Sequence, residues 1–136
     1  MILTKYRIVC PTGFKLRKLE EKHCELIAPY WIGIDDLQVK QTFFKVLIKK
    51  FHSVGLFTEE DPNTPIAWCV QYPAGQPGHL YVTEPYWRRG FATLIMKHNI
   101  MCKCILEDGL IPRVVVQKQI AKDLMEKMGF VEMDKY

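Results

Sequence analysis

Hydrophobic and polar positions change period several times along the chain, and each change marks an element. Phe14-Lys15-Leu16-Arg17-Lys18-Leu19 alternates apolar with basic residues, which predicts a first strand. Residues 20–31 turn helical, with Cys24, Ile27 and Trp31 on one side. Asp35 and Asp36 offer N-caps for the next segment. In it, Val39, Phe43, Phe44, Leu47, Ile48 and Phe51 keep the i, i+3, i+4 spacing of an amphipathic helix. Residues 53–58 read as a short strand, the turn formers of 59–65 as a hairpin loop, and 66–72 as the second arm. A further turn over 73–78 leads into a strand from His79 to Thr83. From Gly90 or Phe91 a helix runs to about Asp108, its stripe formed by Phe91, Leu94, Ile95, His98, Cys102 and Ile105, with Gly109 as C-cap. The three consecutive valines within 113–117 predict a buried central strand. Ile120, Ala121, Leu124, Met125 and Met128 make a last amphipathic helix stopped by Gly129, and 130–133 starts a final strand.

Antiparallel hairpins followed by a β-α-β unit predict an α/β (α+β) fold, with a mixed, mostly antiparallel sheet flanked by helices. At 136 residues the chain suits one domain, 1–136, with room for a true core. The balance of 49% hydrophobic and 25% charged residues is that of a globular protein rather than a disordered one. A net charge of +4 is mild, and the basic residues are scattered, which argues against a nucleic-acid reader and fits a small anionic ligand. No apolar run approaches the length of a membrane span. Cys10, Cys24, Cys69, Cys102 and Cys104 are odd in number and irregularly spaced, so they read as free thiols in a reducing, intracellular compartment. The basic, acid-free first nineteen residues leave cytoplasm and mitochondrion both open. His98 and Cys102 share a helix face, but as apolar-stripe residues rather than metal ligands.

The chemistry concentrates in residues 79–93, His79-Leu80-Tyr81-Val82-Thr83-Glu84-Pro85-Tyr86-Trp87-Arg88-Arg89-Gly90-Phe91-Ala92-Thr93. A strand enters a turn with two arginines and a glycine, which opens directly into a helix. Such a turn presents backbone N–H groups at the positive end of the helix dipole, a geometry that binds phosphate. Gly90 allows close approach of an anion, and Arg88 and Arg89 can add charge-assisted hydrogen bonds.

Residues 82–92 resemble the acyl-coenzyme A motif of the GNAT superfamily, Q/R-x-x-G-x-G/A. Gly90 and Ala92 fit its last two positions, and Trp87 stands where Gln or Arg is usual. Met125-Glu126-Lys127-Met128-Gly129-Phe130 resembles the superfamily's helix-closing signature. Within the superfamily the chain resembles the glycine N-acyltransferase and FR47-like family over residues 14–130, through Trp31, Thr64-Pro65, Trp68, Gly75, Tyr86, Gly90 and Met125-x-Lys127-Met128. The resemblance implies a GNAT fold, acetyl-CoA or another acyl-CoA as co-substrate, and transfer of its acyl group to a primary amine such as glycine. It places coenzyme A on Tyr81, Val82, Thr83, Arg88, Arg89, Gly90, Phe91, Ala92 and Thr93. It also implies a glutamate base just after Gly75, where this chain has Gln76; many GNAT enzymes place a tyrosine acid where this chain has Met125, and the glycine N-acyltransferase family lacks that tyrosine too. A glutamine cannot accept a proton as a carboxylate does.

His79 is the substitute base, because it begins the cofactor strand and titrates near neutrality; Glu84 is the next candidate. A backbone N–H near Val82 serves as oxyanion donor, and the peptide-like pantetheine arm can add to the strand at 81–83. Three functions are compatible with these features: an N-acyltransferase of small amines, an N-acetyltransferase of proteins or peptides, and an acyl-CoA-binding module with impaired catalysis. The sequence leaves acceptor, acyl chain and oligomeric state open.

Overall fold

The computed structural model describes residues 9–73, 77–100 and 119–127. Four strands form one antiparallel sheet in the order β1-β2-β3-β4: β1 Phe14–Arg17, β2 Val54–Thr58, β3 Ala67–Gln71 and β4 Pro77–Val82. The registers are set by Leu16 opposite Leu56, Gly55 opposite Trp68 and Trp68 opposite Tyr81. β2 and β3 are central and buried along nearly their whole length, whereas β1 alternates between half-buried and exposed, as its apolar-basic pattern requires.

The helices cover both faces. α1 (Cys24–Ile27) is a single turn flanked by 3-10 turns over Glu21–His23 and Ala28–Tyr30, so the segment expected to be one helix is broken into short pieces. Pro29 sits in the second 3-10 turn, and its missing N–H denies that segment a continuous α ladder. α2 (Leu37–Lys50) starts where Asp36 accepts from the N–H groups of Gln38 and Val39 at 2.9 and 3.2 Å. Its buried face is Phe44, Leu47 and Ile48, while Val39, expected on that stripe, is exposed. Together α1 and α2 pack on Leu19, Phe57, Trp68 and Val70. α3 (Phe91–Ile100) covers the opposite face, where Phe91, Ile95 and Met96 meet Val54, Leu56, Ala67 and Cys69. α4 (Gln119–Lys127) is the last described element. The strand expected over 113–117 and the helix residues Cys102 and Ile105 lie outside the described residues. Among the described residues no helix is long and apolar enough to cross a membrane.

The sheet thus separates two apolar layers, and alternate residues of β4 belong to different layers. Leu80 and Val82 pack with α3, whereas Tyr81 and Tyr72 pack with α1 and α2. β4 is one of the two edge strands of the described sheet, and it leads through a 3-10 turn over Glu84–Tyr86 into the turn that opens α3.

Candidate active site

Along β4 the ladder breaks at one point. Trp68 pairs with Tyr81 and Val70 with Gly78, so Cys69 alone stands opposite His79 and Leu80. This is a β-bulge, and its first residue, His79, has a left-handed φ of 50°. A non-glycine residue there stores strain that the surrounding packing must hold. That packing is aromatic: the His79 ring lies 4.8 Å from Trp31, 5.0 Å from Phe44, 5.6 Å from Tyr72 and 5.9 Å from Phe43. Its Nε2 is 2.7 Å from the Tyr72 hydroxyl. Burial among rings penalises the imidazolium and holds His79 below the ordinary histidine range, so the ring is neutral at pH 7. The bulge therefore aims the proposed base into an apolar wall with one polar contact.

Beyond the bulge, the backbone N–H and side-chain hydroxyl of Thr83 both donate to the Ile66 carbonyl at 2.9 Å. Thr83 and, by alternation, Tyr81 thus turn their peptide groups toward β3, while those of Leu80 and Val82 face the outer edge. Of the three strand residues expected to meet pantetheine, only Val82 offers its backbone there. The exposed Trp87 donates its indole N–H to the Val82 carbonyl, which ties the turn back onto the strand. Tyr81 stacks on Trp68 at 5.3 Å and meets Tyr30 at 4.8 Å, so its ring is part of the layer under α1 and α2.

The turn itself alternates in hand. Arg88 has φ 61° and Gly90 has φ 78°, both left-handed. A turn of this kind draws successive N–H groups into a concave nest that suits an anion. α3 extends the nest, because its first intrahelical bond runs from Leu94 N–H to Gly90 C=O at 3.1 Å. The amides of Phe91, Ala92 and Thr93 therefore have no helical carbonyl behind them. Among the described residues a Cβ at Gly90 would meet nothing within 4 Å, so they leave the space before the turn open. The side chain of Arg88 is exposed. Arg89 instead lies over the rings of Phe91, Tyr86 and Phe14, at 5.1, 5.6 and 5.5 Å, which braces the turn against β1 and α3.

Glu84 is exposed in the first position of the 3-10 turn Glu84–Tyr86, apart from the aromatic pocket that holds His79. Gln76 and the side chain of Met125 lie outside the described parts of the chain. His98, on the apolar stripe of α3, stacks on His52 at 6.4 Å, away from β4. The residues that sequence reasoning missed are Tyr72, Trp31, Phe43 and Phe44 as the wall of the His79 pocket. The available signal was Gly78 beside His79 at a strand start, a pairing that often marks a bulge.

A model of the family described as FR47-like protein matches residues 53–136. No curated protein matches the chain. Among solved structures, a Drosophila protein is 22% identical with a TM-score of 0.76, over 92% of this chain and 41% of that one. The chain therefore spans less than half the length of that relative. A predicted acetyltransferase of Clostridium acetobutylicum, solved with acetyl-CoA, is 14% identical with a TM-score of 0.70, over 90% of this chain and 93% of that one. Glucosamine-6-phosphate N-acetyltransferase of Arabidopsis thaliana is 17% identical with a TM-score of 0.62, over 90% of this chain and 97% of that one. At these identities the likeness is one of fold.

Proposed function

Since the chain belongs to the FR47-like family, we propose that it is a GNAT-type, acyl-CoA-dependent N-acyltransferase whose acceptor is a small primary amine, glycine among the candidates. The observation that carries the reading is the turn after β4. Left-handed Arg88 and Gly90, followed by the free amides of Phe91, Ala92 and Thr93, form an anion cradle at a helix N-terminus. The pyrophosphate of coenzyme A suits this cradle, and the outward N–H of Val82, whose carbonyl is held by Trp87, suits the pantetheine arm. Acetyl-CoA in the Clostridium acetobutylicum relative supports the same co-substrate. Transfer of acetyl to the amine of a small molecule, as the Arabidopsis relative's name describes, supports the same class of acceptor.

In this reading the strand and turn hold the thioester while a neutral amine attacks it. Positioning two reactants in this way can supply several kcal/mol of the barrier. The outward N–H of Leu80 is the oxyanion donor in this reading. His79, neutral in its aromatic pocket, is the base. The test is release of thiol from acetyl-CoA and longer acyl-CoAs against a panel of amines that includes glycine, run beside calorimetry with coenzyme A. Activity with a small amine, together with coenzyme A binding, supports the proposal. Absence of coenzyme A binding in the folded protein overturns it.

A further inference from the structure

A base must offer a lone pair to the proton it removes, and Nε2 of His79 is already engaged by the Tyr72 hydroxyl at 2.7 Å. Among the described residues the ring neighbours of this pair are Trp31, Phe43 and Phe44, none of which carries an acidic or basic group. Trp31 and Phe43 themselves pack at 5.0 Å, so the wall is continuous on the α2 side. The Tyr72 ring is held in place by an omission. Gly78 faces it across the β3–β4 ladder, and any side chain on Gly78 would overlap the Tyr72 ring. Two unusual backbone features, the left-handed His79 and the side-chain-free Gly78, thus meet at one hydrogen bond.

We infer that Tyr72 is the catalytic residue that takes the proton from the attacking amine, passing its own hydroxyl proton to Nε2 of His79. This rests on the proposed acyl-transfer function. The oxygen of a hydroxyl that donates to Nε2 keeps lone pairs free to accept from the amine. As the amine nitrogen bonds to the thioester carbon, its N–H proton moves to Tyr72 Oη and the Tyr72 proton moves to His79 Nε2. The neutral tetrahedral nitrogen and an imidazolium result. Collapse breaks the carbon–sulfur bond, and the departing thiolate recovers a proton from the imidazolium by the same pair or from water. Products are the amide and coenzyme A thiol, with Tyr72 and His79 restored. Burial pushes the Tyr72 hydroxyl above its ordinary range, so Tyr72 stays protonated and works as a conduit, not as a tyrosinate.

The test compares wild type with Tyr72→Phe, His79→Gln and the double variant in pre-steady-state turnover of acetyl-CoA with the best amine of the panel. Coenzyme A affinity is measured in parallel by calorimetry. Tyr72→Phe keeps the ring over Gly78 and removes only the hydroxyl. It should lower turnover about 10²-fold or more with coenzyme A affinity unchanged. His79→Gln should do the same, and the double variant should be little slower than either single one, because the pair acts as a unit. The proton inventory in mixed H2O and D2O should be curved in wild type, with two protons in flight, and linear in Tyr72→Phe. Gly78→Ala, which displaces the ring, should reproduce the loss. Full activity of Tyr72→Phe beside a slow His79→Gln would overturn the relay and leave the acyltransferase standing. A wild type that binds coenzyme A but acylates no amine would overturn the transfer reading, and the relay with it. Nitrogen-15 spectra give an answer that needs no turnover. The Nδ1–H tautomer of His79 in the resting protein is expected, and the Nε2–H tautomer would overturn the direction of transfer.

Discussion

Replacing Gly90 separates the shape of the phosphate turn from its charge. Gly90 has φ 78°, and a Cβ there meets nothing within 4 Å, so neither alanine nor aspartate is blocked by packing. The cost to the fold is conformational. A left-handed L-residue costs about 1–2 kcal/mol, and aspartate, which tolerates this region better than alanine, sits at the lower end. Gly90→Asp should therefore be at least as stable as Gly90→Ala. Coenzyme A binding should reverse that order. A carboxylate about 5 Å from one phosphate charge is repelled by roughly 1–3 kcal/mol for effective dielectric constants between 80 and 20, or about fivefold to 150-fold in affinity. Alanine adds only a methyl group to open space. Calorimetry with coenzyme A and thermal melts of both variants read the two orders. The gap between them should narrow as salt is raised, because the turn is exposed and its charges are screened. Equal weakening by alanine and aspartate, or a gap indifferent to salt, would refute the assignment of an anion to this turn.

The two arginines should separate as well. Arg88→Gly removes a charge and a left-handed side chain together, so coenzyme A affinity should fall by about 1–3 kcal/mol while thermal stability holds or rises. Arg89→Ala should lower stability by about 0.5–1 kcal/mol by removing the cation over Phe91, Tyr86 and Phe14, measured by urea denaturation. At the centre of the sheet, a Cβ on Gly55 would lie 2.7 Å from Leu19 Cδ2 and 3.0 Å from Phe57 Cε2, so Gly55→Ala should cost about 1–3 kcal/mol in the same assay. Burial depresses the folded-state values of His23, His79 and His98. Their neutral forms are the ones the fold accommodates, so stability is fully present above the unfolded histidine value near 6.5 and declines as pH falls below it. The urea midpoint should drop between pH 7 and 5.5. Turnover corrected for the neutral fraction of the amine should rise with pH through a midpoint below 6.5 and level off by neutrality, and a corrected profile that levels off only above pH 8 would exclude His79 as the proton sink.

Local chemistry in the sequence was enough for most of the described elements and for the glycine turn between β4 and α3. The stripe of Phe44, Leu47 and Ile48 with Asp36 before it defines α2, because cap and periodicity act within a few residues of each other. The glycine between β4 and α3 marks a turn with open amides for the same reason: a helix N-terminus presents its N–H groups whatever surrounds it. The base environment was not legible in this way. His79 was found as a titratable group at a strand start, but its left-handed bulge arises from the offset between the 68–81 and 70–78 pairings, a property of two strands rather than of one. Trp31, Phe43 and Phe44 reach the ring from across the α2 layer, and Tyr72 reaches Nε2 only because Gly78 leaves it room. Arg89 shows the same division, since its charge was evident while its seat on three rings from β1, the turn and α3 was not. Sequence patterning specifies what each short segment can do alone. Tertiary packing decides which lone pairs and charges remain free, because desolvation and hydrogen-bond partners come from residues distant in the chain.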